Sequence, residues 1–504
     1  MKYLLAHDLG TSGNKATLFT TEGKLVDSVV YAYSTKWFNN NWAEQDAEVW
    51  YEAVSESTKK IMKNINADDV VGVSFSGQMM GCLCVNDQGD PLYNSIIWAD
   101  MRATKEEAFM KEKIPEKEFY RITGHRASAS YGLAKLLWIK NNYPKIYDNT
   151  YKMLNAKDYI IFKLTGSFVT DYSDASSTNL LDITTLNWST TIADAVGIDL
   201  EKMPKLHKST DVVGHINALS AMETGLNVGT PIICGGGDGS MSAVGAKCIS
   251  EGDAFCTLGT SAWNATASKS PVYDDEMRTF NWVHVVPGMF IPCGTMQTAG
   301  ASISWLKDQL GQLESEECSK NNKSVYEAIN KIAEEAEPGS AGLYYLPYLM
   351  GERSPRWNPD ARGCFLGIKM ETTKSDIFRS VYEGVALNLE IILQLVLGKA
   401  DISQLVMTGG GAKSKIWCQI FADVYNVDIL VPNYIEEATS IGAAVTAGVG
   451  LGIYDSFDRI NDFIKIDSVV HPIEVNVEKY RKMKPIFEHA YTALLPIYEE
   501  MAHK

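Results

Sequence analysis

The sequence predicts an α/β protein built from two related domains that face each other across a cleft. Two repeated glycine turns carry this prediction. The tetrapeptide Leu-Gly-Thr-Ser at 9–12 recurs at 258–261, each time after a short apolar run. Three consecutive glycines at 235–237 recur at 409–411, again after a strand-like run. Because the two turns follow in the same order in each half, the pattern indicates a duplicated domain.

The length of the chain supports the same division. A chain of 504 residues exceeds what one hydrophobic core usually supports, so two large domains are expected. The boundary is expected near 246–253, between the first glycine triplet and the second Leu-Gly-Thr-Ser. The sequence therefore predicts an N-terminal domain of residues 1–248 and a C-terminal domain of residues 249–504.

The order of strands and helices indicates the type of domain. Residues 3–8, 15–20 and 24–33 are typical of three consecutive strands, and 70–75 of a buried parallel strand. Apolar residues at helical spacing predict a helix over 47–65, which Asp46 is placed to cap. A three-stranded meander followed by alternating helices and strands is typical of a ribonuclease H-like domain of the actin and hexokinase type. In the second half, a helix over 374–397 and a strand over 404–408 continue the α/β pattern.

The charge balance excludes several classes of partner. The chain has 46 basic and 62 acidic residues, a formal charge of −16, so no general affinity for nucleic acid or anionic membranes is expected. A phosphate site must therefore use backbone N–H groups, helix N-termini and a metal ion. The nine cysteines form no paired clusters, and no signal peptide or membrane-length stretch is expected. These features predict a cytoplasmic protein.

Asp8 and the glycine turn after it have the residue types of a phosphate site. A glycine turn lets backbone N–H groups and hydroxyls approach phosphate oxygens, and Asp8 can orient Mg²⁺ or its waters. The turn at 257–261 supplies a second such loop, so the two can clamp the β- and γ-phosphates of a nucleotide. An ordinary hairpin with an Asp in its turn is the alternative.

The triplet at 235–237 is followed by Asp238, the sharpest catalytic candidate. A carboxylate on a glycine turn between domains can accept the proton of an attacking hydroxyl. The alternative is a helix N-cap, a position that Asp often occupies. The triplet at 409–411 precedes a predicted helix, which places a helix N-terminus and side-chain-free backbone where adenosine or the α-phosphate can pack.

Taken together, these features resemble the FGGY family of carbohydrate kinases. The motifs that carry the resemblance are the two glycine turns, Asp8, Asp238, Gly-Glu-Arg-Ser-Pro at 351–355, the run 363–383 and the run 135–139. The last two fit the family's two signatures, although Gly132 stands where the earlier signature usually has Pro, Ser or Thr. The resemblance covers essentially the whole chain. It implies two ribonuclease H-like domains around an interdomain cleft, with ATP and Mg²⁺ used to phosphorylate a small sugar or polyol.

Within the family, the chain looks most like the xylulokinases. The motifs concerned lie at 42–46, 76–79, 98–102, 156–159 and 346–349. Carried over residue by residue, the resemblance implies that Asp238 is the catalytic base and that Asp8 is the acid needed for metal-bound phosphates. The implied sugar-binding residues are Gln78, Met79, Met80, Trp98 and Asp238. The implied ATP-binding residues are Gly10, Thr11, Ser12, Gly259, Thr260, Gly300, Ser304, Gly410, Gly411 and Ala412.

One departure bears on the substrate. Xylulokinases usually have a His where this chain has Met80, and a thioether is at most a weak acceptor. A buried hydroxyl left without its partner costs about 1–3 kcal/mol. D-xylulose remains the expected substrate, giving D-xylulose 5-phosphate, with another ketose, a polyol or a sugar acid (ribulose, erythritol or gluconate) as the alternative. Methionines such as Met79 and Met80, and tryptophans such as Trp98, are also common as core packing.

A reading from another class stays open at this point. An actin-like protein that switches conformation with its bound nucleotide needs the phosphate loops but no sugar site. Asp238 and the segment 351–355 favour the kinase. The dependence of any ATP turnover on added sugar would distinguish the two. A homodimer is a further possibility, because dimers are common among the proteins that the chain resembles.

Overall fold

The computed structural model describes residues 1–434 and 436–502. Two mixed sheets of seven strands each form the centres of two lobes. The elements of the first lobe are β1 (Tyr3–Leu9), β2 (Gly13–Thr20), β3 (Leu25–Ala32), β4 (Lys36–Phe38), β5 (Trp42–Gln45), α1 (Ala47–Met62), β6 (Val70–Gly77), β7 (Leu83–Val85), β8 (Ser95–Ile96), α2 (Thr104–Lys113), α3 (Glu116–Thr123), α4 (Gly132–Asn142), α5 (Pro144–Asn149), β9 (Lys152–Leu154), α6 (Ala156–Thr165), β10 (Val169–Asp171), α7 (Tyr172–Ala175), β11 (Leu181–Asp182), β12 (Asn187–Trp188), α8 (Thr190–Val196), β13 (Lys205–His207), β14 (Val212–His215), α9 (Ala218–Thr224), β15 (Pro231–Ile233), β16 (Gly236–Gly237) and α10 (Asp238–Gly245).

The second half of the chain continues with its own sheet and the helices around it. Its elements are β17 (Ala254–Leu258), β18 (Ala262–Thr266), β19 (Phe280–Val283), β20 (Phe290–Met296), α11 (Gly300–Leu310), α12 (Gln312–Lys320), α13 (Val325–Glu334), β21 (Tyr344–Leu346), β22 (Cys364–Leu366), α14 (Lys374–Leu397), β23 (Gln404–Thr408), α15 (Lys415–Tyr425), β24 (Asp428–Pro432), α16 (Ala438–Gly450), α17 (Ile460–Phe463), β25 (Ile466–Val470) and α18 (Glu474–Ala502).

The two sheets share six strands in the same order, and β19 extends the second sheet beyond β20. In the first sheet, β1, β2 and β3 form an antiparallel meander. Strand β6 pairs with β1 in parallel, β15 pairs with β6 in parallel, and β14 pairs with β15 antiparallel at the edge. In the second sheet, β17, β18 and β20 form the meander. Strand β23 pairs with β17 in parallel, β24 pairs with β23 in parallel, and β25 pairs with β24 antiparallel at the edge. This shared order is the ribonuclease H-like arrangement, so the predicted fold class is confirmed.

The predicted pairing of the glycine triplets is wrong. The triplet at 235–237 follows β15, the second parallel strand counted from β1, whereas the triplet at 409–411 follows β23, the first parallel strand counted from β17. The two triplets therefore occupy different positions in their domains. The Leu-Gly-Thr-Ser turns do correspond, because each joins the first two strands of its meander. A short glycine run marks a turn but carries no information about which strand it follows.

Two helices join the lobes along a buried seam. Helix α16 of the second half packs on α10, β1 and β6 of the first. Added methyl groups would collide in a reciprocal pattern, Gly442 with the Met241 carbonyl oxygen at 2.1 Å and Gly245 with the Ala438 carbonyl oxygen at 2.0 Å. Close helix packing therefore requires glycine at both positions. Helix α16 comes from the second half of the sequence but packs on the first lobe. The division between 248 and 249 therefore stays a proposal.

Helix α14 lies at the centre of the second lobe's core. It is long and apolar enough to cross a membrane by length and composition, but 83% of its most apolar stretch is buried inside the protein. The expectation that no stretch reaches this length is therefore wrong. The predicted bounds 374–397 agree with those of the helix. The first-half helix begins at Ala47 as predicted, with the Asp46 side chain accepting from the Glu48 N–H, but ends at Met62, three residues early.

Candidate functional site

The cleft between the lobes contains a pocket with two carboxylates, which we call the acid pocket. Its volume is about 290 Å³. Both halves of the chain line it, with Asp8, Gly10, Met79, Met80, Trp98, Asp238, Gly239, Ser242, Trp263, Phe280, Trp282, Thr295, Arg353 and Thr439. Of the predicted catalytic and sugar-binding residues, all except Gln78 line this pocket.

Asp8 reaches the acid pocket from the end of β1. Its Oδ2 accepts a hydrogen bond of 2.6 Å from Thr439, the second residue of α16. Burial raises the pKa of Asp8, while the bond from Thr439 and the charge of Lys15 act in the opposite direction. The partner from α16 was not predicted, because nothing in the sequence connects positions 8 and 439.

Asp238 is the first residue of α10, and Gly237 occupies the N-cap position. Its Oδ1 accepts from the N–H of Gly239, 2.7 Å away, so Asp238 lies one position inside the N-cap that the alternative assigned to it. Burial and the nearby charge of Asp8 raise the pKa of Asp238 to about 7. A carboxylate with this pKa is poised to take up and release a proton near neutral pH.

A buried charge network fixes the turn that carries Asp238. The Lys157 ammonium, fully buried, lies 2.6 Å from Asp158, 3.0 Å from Asp171 and 3.4 Å from Asp174. Asp171 accepts from the Ser173 hydroxyl at 2.5 Å, and the same hydroxyl accepts the Gly237 N–H at 3.0 Å. The network thus reaches the residue immediately before Asp238. The motif at 156–159, Ala-Lys-Asp-Tyr, therefore supports the turn that lines the pocket.

Met79 and Met80 form the turn after β6. Met80 has a φ of 63°, in the left-handed region, and its N–H donates to the Ser177 hydroxyl at 2.9 Å. Its carbonyl accepts from the Lys135 ammonium at 2.8 Å, which also serves two other carbonyls. Met79 packs against Gly237, where an added methyl group would lie 2.6 Å from its sulfur. The methionines are therefore both packing and pocket wall.

Gln78 lies behind the acid pocket. Its side chain is buried and donates to the side-chain Oε1 of Gln45 at 2.8 Å. The side-chain Nε2 of Gln45 donates in turn to the backbone carbonyl of Thr11 at 2.7 Å. Thr11 itself accepts from the Trp98 indole N–H at 2.8 Å through its hydroxyl. Gln78 and Thr11 thus hold the wall, and Trp98 presents its 39% exposed ring to the pocket.

The opposite wall is aromatic and contains one arginine. Trp263 on β18 and Phe280 and Trp282 on β19 line it. The Arg353 guanidinium lies 6.0 Å from the Phe280 ring centre. Within residues 1–434 and 436–502 this guanidinium forms no ion pair, and burial raises the pKa of the adjacent Glu352 to about 8. Arg353 therefore gives the pocket a positive charge that no close carboxylate neutralises.

A second pocket, which we call the glycine pocket, is lined by the β17–β18 hairpin and the turn after β23. Its volume is about 540 Å³. It contains six of the ten predicted ATP-binding residues. The lining residues are Leu258, Gly259, Thr260, Gly300, Ile303, Ser304, Ser324, Tyr326, Glu327, Asn330, Tyr382, Gly410, Gly411, Lys413, Ser414 and Trp417.

Backbone contacts shape the glycine pocket. The Gly300 N–H donates to the Gly259 carbonyl at 2.9 Å, and a methyl group on Gly300 would lie 2.4 Å from the same oxygen. A methyl group on Gly410 would meet no atom within 4 Å, so this position opens into space. The triplet at 409–411 leads into a 3₁₀ turn before α15 begins, so no α-helix starts directly at the triplet.

Four predicted ATP-binding residues lie outside the glycine pocket. Gly10 lines the acid pocket instead. Thr11 supports Trp98, and the exposed Ser12 follows it in the same turn. Ala412 is buried beneath the triplet, where its N–H donates to the Gly409 carbonyl at 3.0 Å. The pocket's aromatic and amide side chains, Tyr326 and Asn330 among them, were not predicted, because they carry no motif.

Comparisons with known proteins agree with this architecture. The profile of the FGGY family of carbohydrate kinases, N-terminal domain, matches residues 3–245, and that of the C-terminal domain matches 254–451. The chain is 30% identical to a xylulose kinase of Staphylococcus xylosus, with 97% of this chain and 100% of that one covered. It is 31% identical to a gluconokinase of Bacillus subtilis, with 99% and 98% covered.

A solved structure gives the same result in three dimensions. The ligand-bound xylulose kinase from Lactobacillus acidophilus superimposes with a TM-score of 0.93 at 28% identity, covering 99% of this chain and 100% of that one. The similarity therefore spans both lobes and the cleft between them. The chain belongs to the FGGY family of carbohydrate kinases, and it is a sugar kinase.

Proposed function

We propose that the protein transfers the γ-phosphate of ATP to a primary hydroxyl of an open-chain sugar, with Asp238 as the general base. The observation that carries this proposal is the acid pocket, where Asp8, Asp238 and the wall of Met79, Met80 and Trp98 lie together. The glycine pocket suits a nucleotide, because its glycine turns leave main-chain N–H groups open to phosphate oxygens.

In the proposed reaction, Asp238 orients the sugar hydroxyl and takes its proton. The hydroxyl oxygen bonds to the γ-phosphorus, the bond to the β-phosphate oxygen breaks, and ADP and a sugar phosphate are released. Because the transition state of phosphoryl transfer is largely dissociative, alignment and charge neutralisation supply most of the rate enhancement. A pKa of about 7 lets Asp238 accept the proton near neutral pH.

Asp8 is the proposed contact for magnesium. Its partly buried carboxylate offers the oxygen ligands that Mg²⁺ prefers, and it faces the same pocket as Asp238. Across the described residues, no three His, Cys, Asp or Glu side chains lie close enough together to hold an ion by themselves. An ion at Asp8 would therefore share its ligands with the nucleotide phosphates, and bound there it would neutralise phosphate charge.

D-xylulose is the first candidate for the sugar, and gluconate is the second. The xylulose kinase relatives support the first. The unpaired Arg353 in the acid pocket favours the second, because a sugar acid has a carboxylate that a guanidinium can bind at two points. Met80 offers neither candidate a strong hydrogen bond.

Steady-state ADP release with MgATP and a panel of ketopentoses, tetroses, pentitols, glycerol and gluconate tests the proposal. If gluconate is the substrate, Arg353→Met should lower its kcat/KM roughly 30-fold or more, because the carboxylate loses its partner. The matched control is Arg126→Met, which removes an arginine 5.1 Å from the Trp357 ring but outside the pocket. Turnover of D-xylulose alone, insensitive to Arg353→Met, would assign the ketose instead.

The remaining predictions concern the setting of the reaction. Membership of the carbohydrate kinases argues against the nucleotide-switch alternative, which needs no sugar site. A cytoplasmic location and a homodimer remain predictions, as does the absence of nucleic acid and membrane partners. ADP release that is indifferent to every sugar in the panel would contradict the proposed function itself.

A further inference from the structure

The carboxylate of Asp8 is held by the opposite half of the chain. Thr439 lies 431 residues away in sequence, yet its hydroxyl donates to the Asp8 Oδ2 at 2.6 Å. A hydrogen bond to an ionised carboxylate is shorter and stronger than one between neutral groups. The contact fixes one of the two carboxylate oxygens and so limits the rotation of the whole group.

The neighbour of Asp8 in the sheet is held by the same segment. Lys15 is the cross-strand partner of Asp8 in the β1–β2 pairing. Its ammonium lies 3.4 Å from the Glu437 carboxylate and 3.3 Å from the Glu436 carbonyl oxygen. Two adjacent positions of the first-half hairpin therefore bind residues 436–439, so this segment has one defined position over the acid pocket.

The helix that begins with this segment packs closely on the first half. The glycine contacts of α16 with α10 leave no space for a side chain at Gly245 or Gly442. In addition, the N-terminal end of α16, a helix of 13 residues, carries partial positive charge that favours a nearby carboxylate in its ionised form. The hydroxyl, the cross-strand lysine and the helix packing all act on the same carboxylate.

We propose that Thr439 is a positioning residue through which the second half of the chain orients the Asp8 carboxylate toward magnesium and the nucleotide phosphates. The inference rests on the proposed function, because it assigns Asp8 to the metal. Thr439 does not touch the reacting atoms in this account. Its loss should therefore weaken the magnesium-dependent part of nucleotide binding by a larger factor than it weakens sugar binding.

Titration calorimetry with the non-hydrolysable analogue AMP-PNP, with Mg²⁺ and with EDTA, measures this part directly. In Thr439→Val, the gain in affinity that Mg²⁺ gives should fall roughly tenfold or more, because a hydrogen bond to a charged group is lost. Thr439→Ser keeps the hydroxyl and should restore the gain to within about threefold. The matched control is Thr446→Val on the same helix. It removes a hydroxyl that donates to the Gly442 carbonyl at 2.8 Å.

Kinetics with the best sugar of the panel supply a second readout. Thr439→Val should raise the KM for MgATP and lower kcat, with a smaller change in the KM for the sugar. If Thr439→Val does not fold, Thr439→Ala takes its place, since it leaves space rather than a buried methyl group beside the carboxylate.

Three results would overturn the inference. An unchanged magnesium-dependent gain in Thr439→Val, beside a normal gain in the wild type, would remove the role of Thr439 and leave the proposed function intact. An equal loss in Thr446→Val would assign the effect to the helix as a whole. A wild-type protein with no magnesium-dependent gain would contradict the proposed function and this inference together.

Discussion

The acid pocket and the glycine pocket are built from different kinds of residues. The acid pocket is made of side chains, and buried charges such as Lys157 and Lys135 hold its turns in place. The glycine pocket combines glycine turns with polar and aromatic side chains, and its shape depends on missing side chains at Gly300 and Gly410. In the first pocket the chemistry of a residue matters, and in the second its volume.

This difference shows how one fold can combine a variable function with a constant one. A sugar is distinguished by hydrogen bonds and charge, so the proposed sugar pocket needs particular side chains such as Arg353. A nucleotide phosphate is bound by N–H groups, which every residue except proline supplies. We therefore expect substitutions in the acid pocket to alter rate and specificity, and added volume in the glycine pocket to weaken nucleotide binding.

The largest expected effect follows the removal of the proposed base. Asp238→Asn should lower sugar-dependent kcat by about 10²–10⁴-fold, the usual contribution of a positioned proton acceptor. AMP-PNP binding should stay within about threefold, because Asp238 does not line the glycine pocket. Turnover and calorimetry on the same preparation measure both values. Wild-type turnover in this variant would show that another group accepts the proton.

Removing the cation of the buried charge network beneath the acid pocket should destabilise the protein strongly. Lys157→Met leaves three buried carboxylates without their cation, so the free energy of unfolding should fall by about 3–5 kcal/mol. On the same helix, Lys163→Met removes an ion pair with Glu48 at 3.0 Å from a partly exposed side chain and should cost about 1 kcal/mol or less. Urea unfolding compares the two variants. Equal losses would mean that the buried network does not stabilise the fold.

The glycine pocket should respond to volume. Gly300→Ala places a methyl group 2.4 Å from the Gly259 carbonyl oxygen, so the hairpin must shift and the KM for MgATP should rise roughly tenfold. Gly410→Ala meets no protein atom within 4 Å, so its unfolding free energy should match that of the wild type. Kinetics and thermal unfolding of the pair separate strain within the protein from obstruction of the ligand. Wild-type kinetics in Gly300→Ala would contradict the backbone account.

The dependence of rate on pH tests the proposed base without a substitution. Asp238 must be ionised to accept a proton, and its pKa is raised to about 7. The value of kcat/KM should therefore fall about tenfold for each pH unit below 7 and level off above it. A profile measured between about pH 5.5 and pH 8.5 tests this. A midpoint near 4, the ordinary range for an Asp, would show that burial and Asp8 do not raise this pKa.

The sequence was sufficient to predict the fold and most of the motif residues that line the two pockets. Strand order and the two Leu-Gly-Thr-Ser turns predicted two ribonuclease H-like domains, because such turns follow the same strand in each copy. The glycine triplets were paired wrongly, since a glycine run does not record its place in a sheet. Thr439 could not be predicted, because its contact with Asp8 exists only once α16 has packed across the seam.

The aromatic wall of the acid pocket also could not be predicted from the sequence. Phe280 and Trp282 alternate along β19, a pattern that predicts a strand but not the pocket that one of its faces lines. Gln78 shows the reverse case. It stands within a motif beside the pocket, yet its side chain turns back to Gln45 and braces the turn.

The most direct test of the account is a phosphorus NMR spectrum of the products that the wild-type protein forms from MgATP and the sugar panel. The account predicts a new phosphate monoester resonance, in equal amount to ADP, that appears only when a sugar or sugar acid is present. Release of ADP and inorganic phosphate at a rate that no sugar changes would contradict it.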